Sequence, residues 1–184
     1  VIYMGVKMKV DKAIKATFNT NLIILNGFLV ALLVGTILLM LPVSSASGNG
    51  TDFITALFTA TTSLCVTGLV VVPTYAYWSI FGKVIILILI QLGGLGIISF
   101  TIGFLIIIGK KISLKERKMI QESYNLDSAQ GVLKILRKIF GITLKIEGIG
   151  AILYSIQFIP EYGIVKGICY SVFHSVSAFC NAGI

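Results

Sequence analysis

Two stretches of this chain, Leu22 to Leu41 and Val84 to Ile108, run for about twenty residues or more without a charge. A bilayer core about 30 Å thick needs about 20 apolar helical residues, so either stretch can cross it, the second with some tilt. A third, Ile139 to Ile159, also has the length, although Lys145 and Glu147 interrupt it. Hydrophobic residues fill 57% of the 184 positions and charged ones only 12%, too few to coat a soluble domain of this size. The sequence predicts an all-α membrane protein. A buried helix in a large soluble core is the weaker alternative.

The net charge of +8 is a topology signal, not a nucleic-acid footprint. Lys7, Lys9, Lys12 and Lys15 precede the first span; Lys110, Lys111, Lys115, Arg117, Lys118, Lys134, Arg137 and Lys138 lie between the second and third. Pro42 to Thr74 contains neither Lys nor Arg. The positive-inside rule then places residues 1–20 and the basic loop at 110–130 in the cytoplasm of a multi-pass cell-membrane protein. Cys65, Cys169 and Cys180 sit at or near membrane depth, read as small apolar residues, and imply neither a disulfide nor a metal site.

Between the first two spans lies no ordinary loop. Residues 52–64 are apolar and predict a helix of about 20 Å, too short to cross. Thr51 or Asp52 can cap it. Such a helix enters from one side and returns. Cys65, Val66, Thr67, Gly68 and Leu69 follow it. Irregular backbone at membrane depth survives only where protein buries it or it lines water. Carbonyls there lack donors, and a dehydrated cation can replace them. Gly68 admits backbone angles that a β-carbon resists, and the helix aims its negative end at the same place. The competing reading is a tight structural loop.

The same pattern returns 115 residues later. Phe173 to Ile184 aligns without gaps on Phe58 to Leu69, with Phe, Cys and Gly identical. The same offset carries the third span back onto the first. The chain therefore divides into a first helix–pore loop–helix unit at 21–109, with a loop at 65–69, and a second unit at 131–184 ending in its loop at 180–184. About one and a half to two such units are present.

These residues resemble the Trk/Ktr/HKT superfamily of potassium transporters, closest to the KtrB-type membrane subunits of bacterial Ktr systems. The resemblance rests on Thr59 to Val71, Phe81-Gly82-Lys83, Gln91-Leu92-Gly93-Gly94-Leu95-Gly96, Gly109 to Arg117, and Ala178 to Gly183. It implies four units around one pore, of which units three and four lie outside these 184 residues. It makes Val66, Thr67, Gly68 and Leu69, with Asn181, Ala182, Gly183 and Ile184, the backbone ligands of a potassium filter. It also implies inward potassium movement, sodium dependence, a homodimer in the lipid bilayer, and a cytosolic KtrA-like nucleotide-binding ring. The implied ions are potassium and sodium as transported or coupling ions; no cofactor bound by this chain is expected.

Other residues carry weaker signals. Glu147 reads first as a polar helix contact and second as a cation attractor in the inner vestibule, while Lys145 snorkels. Gln91 with Gly93, Gly94 and Gly96 reads as close helix packing or a kink, since no nucleotide phosphate sits in mid-membrane. Packing explains the thiols of Cys65 and Cys180, and Asn181 can hydrogen-bond behind the filter. His174 reads as a buried, hydrogen-bonded histidine, and Tyr75, Tyr77, Trp78 and Phe81 as an interfacial aromatic belt. An enzyme is not expected, because one isolated histidine and seven scattered acids build no reactive constellation. The rival to transport is a non-conducting membrane scaffold of pore-like ancestry.

Overall fold

The computed structural model describes residues 22, 24–96, 100, 121 and 132–184. Helices dominate them, and the one β feature among them is an isolated bridge between Ser45 and Trp78. The 1–20 segment and the 110–130 loop, apart from Gln121, fall outside the described residues.

Helix α1 spans Ile24–Met40 and reaches about 25 Å. Leu25, Leu29, Val30, Leu33, Val34 and Ile37 are all exposed along it, as suits lipid better than water. A 3-10 turn, Pro42–Ser44, stops it, with Pro42 at the first position where a missing N–H costs nothing. Ser44 Oγ then donates back to Leu38 O at 2.6 Å.

Helix α2 occupies Phe53–Cys65. Its start is fixed by Asp52, whose carboxylate accepts from Thr55 N at 3.0 Å. It buries Ala56, Ala60 and Leu64 against Ile86, Leu89 and Ile90 of α4 (Ile80–Gly94). The short helix α3, Thr74–Tyr77, leads into α4, whose N-cap Ser79 accepts from Gly82 N at 3.2 Å. Backbone bonds from Ala46 N to Tyr77 O (2.8 Å) and from Ser79 N to Ser44 O (2.9 Å) tie the two connections together. Trp78 is buried beneath them at 1% exposure and Tyr77 is half-buried, whereas Tyr75 and Phe81 are exposed. The four aromatics are therefore not one interfacial belt. Trp78 is a core residue because the 45–78 bridge folds the loop over it.

The second apolar stretch does not continue as one helix from Val84. Helix α4 ends at Gly94, and Gly96 turns the backbone with φ 78. Of the part beyond, only Phe100 is described, its N–H bonded to Gly96 O at 2.9 Å.

Helix α5, Val132–Tyr162, contains the third apolar stretch. Its Lys134–Tyr162 part is the one described segment that is long and apolar enough to cross a membrane. Gly163, at φ 79, reverses the chain into α6, Ile164–Phe179. Close return is possible because Gly167 lacks a side chain: a Cβ there would lie 2.7 Å from Ile159 Cα. Helix α6 packs along α5 and also touches α4, which brings its end toward the end of α2.

Candidate functional site

Helices α2 and α6 end in two loops with the same wiring. After α2, Val66 takes the left-handed conformation (φ 56, ψ 43), and Gly68 follows with φ 78. After α6, Asn181 has φ 62 and Gly183 φ 68. Thr67 N donates to Thr62 O at 3.0 Å, and Ala182 N to Ser177 O at 2.8 Å. Leu69 N donates to Thr62 Oγ1 at 3.0 Å, and Ile184 N to Ser177 Oγ at 3.3 Å. Each pair of equivalent residues is separated by the 115 positions of the sequence repeat.

The bonds have one chemical consequence. Two backbone donors of each loop, those flanking its glycine, are taken inward by a hydroxyl and a carbonyl on its own helix. Hydroxyls hold the loop open where a helical ladder would consume its acceptors. Thr62 Oγ1 also bonds Thr67 Oγ1 at 2.7 Å, which braces the first loop further. Ser177 Oγ also donates to Ile184 O at 3.1 Å.

The two glycines meet. A Cβ on Gly68 would lie 2.9 Å from Ala182 O and 3.6 Å from Gly183 Cα; one on Gly183 would lie 3.5 Å from Gly68 Cα. Of the eight residues singled out in the loops, Ala182 is fully buried, while Val66, Gly68 and Ile184 are half-buried. Thr67, Leu69, Asn181 and Gly183 are exposed. The negative ends of α2 and α6 converge on this junction, a field that favours a cation.

Glu147 lies apart from the glycine loops, on α5, and is 6% exposed. Its carboxylate accepts from Gln91 Nε2 of α4, and Ser175 Oγ donates to its backbone carbonyl at 2.6 Å. Lys145, two residues earlier, is exposed.

Three expectations require correction. Cys65 is exposed where Cys180 is buried, so packing accounts only for the second thiol. His174 is exposed, not buried; its Nδ1 lies 3.0 Å from Tyr170 O, and its ring sits 4.9 Å from that of Phe158. It faces the Tyr154 and Phe158 rings of α5. Asn181 exposes its side chain, and its role is conformational: asparagine tolerates the left-handed region that Val66 enters under strain. Thr62 and Ser177 were not singled out from sequence. Their signal was present, as two hydroxyl residues at equivalent places in the repeat. Among the described residues, no group of His, Cys, Asp and Glu could hold a metal ion.

The model of the cation transport protein family TrkH matches residues 4–184. The chain belongs to the TrkH family. It is 44% identical over 172 residues to the potassium/sodium uptake protein NtpJ of Enterococcus hirae, covering 94% of this chain and 38% of that protein. It is 41% identical over 174 residues to Ktr system potassium uptake protein B of Bacillus subtilis, again 94% of this chain and 39% of the relative. The protein of that name from Vibrio alginolyticus is 39% identical over 170 residues, 92% of this chain and 37% of the relative. The chain thus spans about two fifths of the length of these TrkH-family relatives.

Proposed function

We propose that this chain supplies two of the filter loops of a membrane path for potassium uptake. The observation that carries the reading is the junction of Gly68 and Gly183, two loops with the same wiring brought to contact at the ends of two short helices. Val66, Thr67, Gly68 and Leu69 present backbone oxygens to the ion, as do Asn181, Ala182 and Gly183. Ile184 offers its backbone oxygen in the same way. Two loops enclose only part of an ion, so the complete pore needs four helix–pore loop–helix units, two of them from the remaining length of the protein. The names of the relatives, potassium/sodium uptake protein and Ktr system potassium uptake protein, support potassium as cargo, and we take sodium as the coupling ion. The word "system" in the Ktr names supports a separate regulatory subunit, for which we take a cytosolic nucleotide-binding ring docked on the 110–130 loop. A homodimer in the cell membrane, with the N-terminus inside, completes the reading. A non-conducting scaffold is not favoured, because relatives matched over 94% of this chain are named for uptake.

Growth of a potassium-uptake-deficient bacterium carrying the complete gene tests this. Wild type should rescue growth at limiting potassium, and Gly68→Ser should raise the potassium required. Absence of rescue by wild type, with normal membrane abundance, would move the scaffold reading to the front.

A further inference from the structure

The end of α4 touches both glycine loops at once. Gly93 backs onto the end of α2, where a Cβ would lie 2.0 Å from Leu64 O and 3.1 Å from Val66 Cγ2. Gly94 backs onto the end of α6, where a Cβ would lie 2.6 Å from Cys180 Sγ. One turn earlier, Gln91 uses both ends of its amide. Its Nε2 donates to Glu147 Oε1, and its Oε1 accepts from Cys180 Sγ at 3.8 Å. Glu147 is bound a second time through its carbonyl by Ser175 of α6. Ser175 fits there because Gly150 of α5 leaves room: a Cβ would lie 2.4 Å from its Oγ. Helices α4, α5 and α6 are thus locked together just behind Cys180, the first residue of the second glycine loop.

We infer that Gln91 and Glu147 are positioning residues for the second filter loop, and that Glu147 acts through Gln91 and Cys180, not through its charge on the ion. The inference rests on the ion-path reading above. A carboxylate 6% exposed, receiving an amide N–H, is a buried acceptor in a polar network that three helices share. Satisfied networks of this kind select one arrangement of the helices that share them. A filter discriminates ions by where its carbonyls stand, so a shift of α6 against α4 alters selectivity before it alters folding.

Five forms of the complete protein separate the roles: wild type, Glu147→Gln, Gln91→Glu, the exchanged pair Gln91→Glu with Glu147→Gln, and Gly68→Ser. Initial potassium uptake and discrimination against sodium are measured in cells, with membrane abundance followed by immunoblot. Glu147→Gln keeps the acceptor and loses the charge, so its KM should stay within about twofold of wild type. Gln91→Glu removes the donor and sets two carboxylates together. Its KM should rise about tenfold, with reduced preference for potassium. The exchanged pair restores one donor facing one acceptor and should recover both readouts. Because the exchange is judged against Gln91→Glu, a fold defect in the single variant sharpens the comparison. A tenfold rise in KM for Glu147→Gln alone, or no recovery in the exchanged pair at normal abundance, overturns the inference. If Gly68→Ser raises KM while Gln91→Glu does not, only this inference fails. If Gly68→Ser leaves uptake unchanged, the ion-path reading fails and takes the inference with it.

Discussion

A β-branched residue in the left-handed region is rare, because its Cβ substituents crowd the backbone there. Val66 adopts it at φ 56, one residue after the end of α2. Strain of that kind, about 1–3 kcal/mol, persists only when the surroundings over-determine it. Thr62 supplies much of the determination. Its carbonyl takes Thr67 N and its hydroxyl takes Leu69 N, so the donors on both sides of Gly68 are committed. Replacing Thr62 with Val keeps the shape and leaves the Leu69 N–H without its acceptor, at a cost of about 1–3 kcal/mol. Thr62→Val should therefore weaken potassium uptake about tenfold or more, and Thr62→Ser should restore it. Equal KM values for Val and wild type would remove Thr62 from the account. Gly68 and Gly183 could be picked from sequence because their repeat pointed to them. The left-handed Val66 could not, since nothing in a valine's identity announces a positive φ. His174 and Cys65 were misplaced for a related reason. An apolar neighbourhood in sequence does not tell which side of a helix meets another helix.

Among the elements, the short helices have different degrees of freedom at their two ends. At the start of α2, Asp52 binds Thr55 N from an exposed position, as an Asp ahead of an apolar run suggests. Asp52→Ala should lower stability by about 1 kcal/mol, seen as a modest fall in the midpoint of thermal unfolding in detergent, with uptake kept. At the far end, α2 leans on Gly93, where an added Cβ would meet a backbone oxygen that has no rotamer to change. Gly93→Ala should cost far more than the cap and should reduce the amount of protein in the membrane. An alanine variant as abundant as Asp52→Ala would contradict the close approach of α4 and α2. The apolar stretch Val84 to Ile108 concealed this element boundary. A run of apolar residues reads as one span, and the glycines at 93, 94 and 96 carry both close packing and the end of the helix. Periodicity alone cannot divide those two uses.

Across the whole molecule, apolar surface dominates the outside of α1 and α5, with Val30, Ile37, Ile149 and Ile152 among the exposed residues. That distribution and the TrkH family match over residues 4–184 support a membrane setting, and the positive-inside rule applied to the basic residues predicts the 42–50 turn outside. An epitope inserted at Asn49 should be labelled by antibody on intact spheroplasts, and one before Lys7 only after permeabilisation. The reverse pattern would invert the topology and place the basic loop outside. Helix type and the existence of the repeat were legible because apolar length and a fixed offset are properties of the sequence itself. The contact between the loops was not, because it depends on how α6 folds back along α5 and against α4. That contact is the central claim, and potassium uptake kinetics of the complete protein test it most directly. With an added side chain at φ 78 costing about 1–2 kcal/mol and facing Ala182 O, Gly68→Ser should raise the KM for potassium about tenfold and reduce its preference over sodium. Gly183→Ser should do the same. Wild-type KM and selectivity in both variants, at normal membrane abundance, would show that the ion does not pass these glycines.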